Sequence, residues 1–367
     1  MVIQNSKDII GELSETNIFT EKKIIANEGS EIVFMFPGYG EHYIGMAKEL
    51  YENIQIFHDT LNQCDKIVKA TKSVSFIDFL YYSSDSQDSK NQLEKHSLFG
   101  VSLFAIEYSL AYTYIELGVK PSAMIGYSMG EWATACIAGS ISLEDTIFFI
   151  LEQASYIETL PSGSMMAVPL SENEARKYLV PNEIDLAAIN SSKVCILSGT
   201  LEAIKKTKAI IRKDKHVESL ILNSTYGFHS YLVEPIMSQV SQLAGKIKIN
   251  TPKIKYISSL TGDWISDNEL IDSNYWARKL REPILFEQGI QKILNKSYQV
   301  LLEVGPRQTL GLLLKNHPGK QEKQMVLSSL PHLPDSESDL DCFITTLKQL
   351  AQIGININWE KLYKVKD

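Results

Sequence analysis

Ala123-Met124-Ile125-Gly126-Tyr127-Ser128-Met129-Gly130-Glu131 puts a short apolar run directly before a G-x-S-x-G element, and a helical pattern from Trp132 to Ala138 follows. The order strand, serine, helix is that of a nucleophile elbow. Two glycines let the backbone turn sharply beside the serine, where a Cβ would clash. The hydroxyl then stands at a helix N-terminus, whose free N–H groups favour developing negative charge. Ser128 is therefore the candidate nucleophile. The motif alone is a modest signal, because three small residues at fixed spacing also occur in ordinary strand-to-helix turns.

The bulk numbers set the frame around it. At 367 residues the chain can bury a sizeable core, as one domain with an insertion or as two. Hydrophobic content of 44% and charged content of 22% are ordinary for a globular protein. A net charge of −8 and a pI near 5.5 argue against nucleic acid as the main partner. No stretch approaches the ~18 uninterrupted apolar residues of a membrane span, so no membrane partner is expected. Met1 to Ser30 is polar and mixed in charge, unlike a signal peptide. Cys64, Cys136, Cys195 and Cys342 are scattered without a C-x-x-C, which fits a reduced, cytoplasmic protein. His and Cys show no metal-ligand spacing, so no metal is expected.

Along the chain, residues 1–30 read as a leader or linker. Glu31 to Phe36 is a buried-type strand ended by Pro37-Gly38-Tyr39-Gly40. Helical patterns cover Met46 to Leu61 and Leu98 to Leu117, with an exposed loop from Tyr81 to Asn91 between them. Pro161-Ser162-Gly163-Ser164 reads as a hinge. Beyond it, strands at 164–169, 184–189, 193–198 and 219–222 alternate with helices at 171–178 and 201–213. That β-α-β-β-α-β order is the ferredoxin-like pattern. The predicted class is α/β: a large α/β-hydrolase-like subdomain (31–163 plus 224–327), an inserted small ferredoxin-like subdomain (164–223), and a C-terminal tail (328–367) packing on the large one. The tail is predicted to end in a helix from Leu340 to Ile353.

A serine nucleophile needs a base and an oxyanion site. Of seven histidines, His229 in Tyr226-Gly227-Phe228-His229-Ser230 lies where the inserted subdomain would rejoin the large one. At this point the sequence resembles the malonyl-CoA:acyl-carrier-protein transacylase-like acyltransferases of fatty acid and polyketide synthesis. Phe34 to Gly40 is similar to the family's first strand and its F-P-G-Q-G loop, and Gly126 to Glu131 to its G-H-S-x-G-E. Ala187 to Asn190 with Leu197 to Gly199, Phe228-His229-Ser230, Tyr275-Trp276 through Arg281-Glu282-Pro283, and Glu303 to Pro306 follow in the family's order. The likeness runs from about Glu31 to Trp359.

The resemblance implies roles. Ser128 attacks an acyl thioester and His229 takes its proton, then returns it to the departing thiol. The N–H groups of Tyr39 and Met129 form the oxyanion hole. The backbone carbonyl at Lys279 orients the imidazole. Malonyl-type members hold the acyl carboxylate with an arginine at a fixed distance after the nucleophile, and counting without gaps puts Gln153 there. Glutamine cannot replace that charge. The expected acyl group is therefore neutral, in a pocket without a cation, unless Lys95 or Arg278 does the gripping. Glu152 beside it would repel a carboxylate if it faced the pocket. Tyr127, Gly100 and Tyr39 replace family residues expected to line the acyl pocket with Phe228, and Glu131 is read as a structural acid.

This pattern is similar to the acyltransferase homologues that accompany trans-acyltransferase polyketide synthases, one branch of which hydrolyses acyl groups from acyl carrier protein. Three functions are open. The first is a proofreading acyl hydrolase of polyketide, and hence antibiotic, biosynthesis. The second is a transferase of a non-malonyl acyl group between CoA and acyl carrier protein. The third is a non-catalytic scaffold. No cofactor is expected beyond the phosphopantetheine or CoA of the substrate. Lys205, Lys206, Lys208, Arg212, Lys213 and Lys215 form the densest basic cluster, either a docking face for an acidic carrier protein or a solvated helix face.

Overall fold

The computed structural model describes residues 31–82, 96–332 and 337–362. The expected leader at 1–30 and most of the Tyr81–Asn91 loop lie outside them. The first strand, β1 (Ile32–Phe36), is buried along its whole length, as a parallel strand covered on both faces must be. It pairs in parallel with β2 (Ala123–Gly126) on one side and β8 (Val300–Glu303) on the other. β7 (Tyr256–Ile257) and β9 (Met325–Ser328) extend the sheet to the order β7-β2-β1-β8-β9.

Helices fill the connections: α1 (Gln55–Lys72), α2 (His96–Glu116), α3 (Gly130–Ile137), α4 (Leu143–Ile157), α5 (Leu201–Lys215), α6 (Met237–Ala244), α7 (Ser273–Arg281), α8 (Phe286–Leu294), α9 (Thr309–Lys315) and α10 (Asp339–Gln352). The predicted helix from Met46 to Leu61 is two helices, broken at Ile54, whose backbone is extended (φ −107°, ψ 108°). Asn53 closes the first of them with a 2.8 Å bond to the Glu49 carbonyl. By length and composition α2 could cross a membrane, but it is mostly buried inside the protein. It is a core helix, walled by other helices rather than lipid. At α4, the Ser142 side chain accepts from Asp145 N, and Glu144 and Asp145 complement the helix dipole.

Side-chain alternation along β1 divides the core. Ile32, Phe34 and Phe36 face the helical layer containing α1, α2 and α4. Val33 and Met35 face a second cluster with Ile290 and Ile293 of α8. Ala187, Ala188 and Ile196 of the second sheet join that second cluster.

The second sheet has four antiparallel strands in the order β4-β5-β3-β6, made of β3 (Ser164–Val168), β4 (Ile184–Ser191), β5 (Val194–Gly199) and β6 (Leu220–Ile221). A short helix (Glu172–Ala175) follows β3 and α5 follows β5. The sheet is tied to the large one through residue 284: Ile189 N donates to Ile284 O, and Ile284 N to Ala187 O, both at 2.9 Å. At the C-terminal end of the chain, Phe343 of α10 packs 4.9 Å from Tyr114 of α2, and Asn358 N bonds to Leu117 O.

Candidate active site

β1 and β2 end side by side, and the loops leaving them meet. Tyr127 N donates to Phe36 O at 2.8 Å. A Cβ on Gly130 would collide with the carbonyls of Phe36 and Pro37, and one on Gly126 with the Glu131 backbone. The glycines are therefore required by close approach. Ser128 between them sits at φ 51°, the left-handed region costly to a residue with a side chain. Its hydroxyl is thereby lifted to the start of α3, beside the loop Pro37–Gly40. The Met129 N–H belongs to the open first turn of that helix. Gly38 passes so close that a Cβ there would lie 3.6 Å from Ser128 Cβ. Tyr39 lines the same cavity as Ser128 and Met129.

His229, in the segment between β6 and α6, also has φ 57°. Its Nε2 lies 2.9 Å from Ser128 Oγ, and its Nδ1 lies 2.9 Å from Glu282 O. A carbonyl only accepts, so Nδ1 carries the proton and Nε2 presents a lone pair to the serine hydroxyl. The imidazole is buried, which pushes its pKa down to about 4; the Glu282 carbonyl opposes that, and Lys279 and Arg281 add to it. At neutral pH the ring is thus a neutral acceptor. The arrangement can take a proton from Ser128 as the hydroxyl attacks an electrophilic carbon.

The structure corrects several expectations. The carbonyl that orients His229 is that of Glu282, not Lys279: α7 ends at Arg281, and the chain turns there so that residue 282 aims its carbonyl at the ring. Lys279 instead sends its side chain inward, and Nζ donates 2.8 Å to Ser128 O. The pocket is therefore not free of cations, since this ammonium lines it. Arg278, offered as a gripping residue, faces outward and pairs with Glu282 at 2.6 Å; Lys95 lies outside the described residues. Tyr127 is not in the pocket either. The strand-end alternation points it to the other side of the elbow, where its hydroxyl donates 2.8 Å to Asn190 Oδ1 of β4. Gly100 stands behind the pocket wall rather than in it, backing the Tyr39 hydroxyl.

Gln153, Phe228 and Trp132 line the cavity, whose volume is about 40 Å³. Glu152 points away and pairs with Lys72 at 2.8 Å, so its charge does not reach the pocket. Lys279 Nζ lies 5.0 Å from the Trp132 ring centre and 6.0 Å from that of Trp276. No carboxylate lies within 4.0 Å of it among the described residues, and burial lowers its pKa. Glu131 is fully buried, held by Ser259 N at 2.9 Å, the Ser259 hydroxyl and the Tyr275 hydroxyl. Among the neighbours of Lys279, Glu131 opposes that lowering of its pKa, a relation with no sequence signature. No group of three or more His, Cys, Asp or Glu side chains suited to a metal occurs among the described residues.

Residues 33–357 match the family model described as acyl transferase domain. A phenolphthiocerol/phthiocerol polyketide synthase protein of Mycobacterium tuberculosis is 27% identical over 95% of this chain, and the non-reducing polyketide synthase ZEA1 of Gibberella zeae is 30% identical over 77%. The chain spans only 23% and 14% of those proteins. Among solved structures, the acyl transferase domain of ZmaA is 29% identical with a TM-score of 0.83, covering 93% of this chain and 79% of that one. A loading acyltransferase from the avermectin modular polyketide synthase is 26% identical with a TM-score of 0.78, covering 87% and 99%. The mixed α/β fold is theirs, and the chain belongs to the acyl transferase domain family.

Proposed function

We propose that this chain takes a short, uncharged acyl group from an acyl carrier protein thioester onto Ser128 and releases it to water, as an acyl hydrolase of polyketide biosynthesis. The observation that carries the acylation step is the Ser128 Oγ–His229 Nε2 contact of 2.9 Å with Nδ1 held by a carbonyl. His229 accepts the Ser128 proton as the Oγ–C bond forms. The oxyanion collects at the N–H groups of Met129 and Tyr39, a donor pair of the kind worth about 3 kcal/mol per bond. The C–S bond then breaks, and the thiol leaves with the proton from His229. Water repeats the cycle on the ester, and the carboxylic acid departs.

The small cavity supports a short chain. Gln153 offers hydrogen bonds but no charge, and the Lys279 ammonium already has the Ser128 carbonyl and two indole faces. The uncharged Gln153 favours a neutral acyl group, and the Lys279 ammonium is turned to the Ser128 carbonyl. The reaction asks for no cofactor beyond the substrate's own thiol carrier. For the carrier protein, Lys205, Lys206 and Lys213 on α5 are exposed, whereas Arg212 and Lys215 are paired with Glu218 and Glu174. A small basic face therefore remains for an acidic partner.

Transfer to a second thiol is the other reading, favoured by the loading acyltransferase among the similar structures. Intact-mass spectrometry after mixing with acetyl- and malonyl-carrier protein separates them. Fast appearance of free acetate and holo-carrier supports the hydrolase. A long-lived acetyl-enzyme that discharges only to another thiol supports the transferase. Rapid malonyl loading overturns the neutral-acyl reading.

A further inference from the structure

Three contacts with the catalytic pair come from one helix end. Lys279 Nζ donates to Ser128 O at 2.8 Å, His229 N donates to Leu280 O at 3.1 Å, and Glu282 O receives His229 Nδ1 at 2.9 Å. We propose that Lys279 is a positioning residue: its ammonium holds the carbonyl of the nucleophile while Leu280 O holds the His229 backbone and Glu282 O the imidazole, so that one segment sets the distance between Ser128 and His229. The inference rests on the acylation reading of those two residues.

Two observations single out the lysine. Ser128 occupies a strained left-handed conformation, and its carbonyl has one other donor, Glu131 N at 3.2 Å. A second, charged donor holds that conformation more firmly than a turn bond alone. The residue is also 7% exposed and lacks a direct carboxylate partner among the described residues. A buried ammonium is costly, and a neutral residue would pack there at lower cost. The charge is therefore retained for an effect on its neighbours. The charged groups facing the imidazole are Lys279 and Arg281, both on α7. Arg281 is bound to Glu234 at 2.8 Å and Asp185 at 3.5 Å, whereas Glu282 turns its carboxylate to Arg278. Glu131, beyond Lys279, is held by Ser259 and Tyr275. Lys279 is thus the cation that both touches Ser128 and disfavours imidazolium.

The test is the single-turnover acylation rate of Ser128 by an acetyl thioester as a function of pH, in the wild type, K279M and K279R. In K279M the plateau should fall about tenfold or more, with KM changed by less than about twofold. Its acid limb should move to higher pH by about half a unit. K279R should keep the acid limb where the wild type has it. K279Q takes the place of K279M if that variant does not fold. A neutral variant with the wild-type plateau and limb overturns the proposal. A loss confined to malonyl thioester also overturns it, making Lys279 a carboxylate grip. A wild type that acylates with no thioester removes the acylation reading itself, and the proposal with it.

Discussion

The Tyr39 hydroxyl occupies the space that a side chain at position 100 would need: a Cβ built on Gly100 would lie 3.3 Å from it and 3.4 Å from Met129 Cε. The Tyr39 ring lies 5.8 Å from that of Phe228, and both line the pocket. Burial raises the Tyr39 pKa well above its ordinary value, and the phenol stays neutral. A bulky residue on the loop after β1 is thus matched by a missing side chain on α2.

Tyr39 should set the length limit of the acyl group. Tyr39→Ala removes the ring and leaves its backbone N–H in place. Each methylene admitted to an apolar pocket is worth about 1–3 kcal/mol. The ratio of hexanoyl to acetyl kcat/KM should therefore rise about tenfold or more, read from competing thioesters by mass spectrometry. Gly100→Ala should lower activity on both. An unchanged ratio in Tyr39→Ala would place the limit elsewhere.

The acid limb of acylation should lie well below the ordinary histidine range. Burial holds the His229 pKa near 4, against 6.5 in the open. The ring is then neutral and competent above about pH 5, and kcat/KM falls as pH drops through about 4. The sign for stability follows from the same shift. The unfolded chain takes up the proton first, so the contribution of His229 is complete above 6.5 and is lost as pH falls toward 4. A limb at 6.5 would mean a hydrated imidazole.

Ser128 and His229 were legible because each sits in a short motif whose neighbours serve geometry: glycines that permit close approach, and F-H-S at a chain crossing. The carbonyl of Glu282 was not, since every residue type carries one and only the turn after Arg281 decides which is aimed at the ring. Lys279 reads as a surface residue in Arg278-Lys279-Leu280-Arg281, three charges in four positions. Its burial comes from the tertiary contacts of Trp132 and Trp276. Tyr127 was misplaced because the direction of a side chain at a strand end depends on one step of alternation. β7 has two residues and β9 starts from partly exposed Met325 and Val326, so neither has a pattern strong enough to see.

The bond from Tyr127 to Asn190 joins the nucleophile loop to the small sheet. Tyr127→Phe should cost about 1 kcal/mol, the net value of one hydrogen bond. Asn190→Ala should cost about 1–3 kcal/mol, because it leaves a half-buried phenol without its acceptor. The double variant should cost less than the sum, measured by urea unfolding. Full additivity would show that the two residues do not work as a pair.

Glu131 and Lys279 test whether two buried opposite charges sense each other across the elbow. Glu131→Gln keeps one acceptor but turns an amide NH₂ toward groups that donate: the Ser259 N–H and hydroxyl and the Tyr275 hydroxyl. It also removes the one carboxylate that holds the Lys279 pKa up against burial. The variant should lose about 3–5 kcal/mol in urea unfolding, as for a buried charge left uncompensated. Lys279→Met alone should lose less, because a thioether is well suited to an aromatic lining. Combined, the two should cost less than their sum by about 1 kcal/mol, since the second change no longer strands a charge. A sum obeyed within about 0.5 kcal/mol would mean that each charge is satisfied by its own hydrogen bonds.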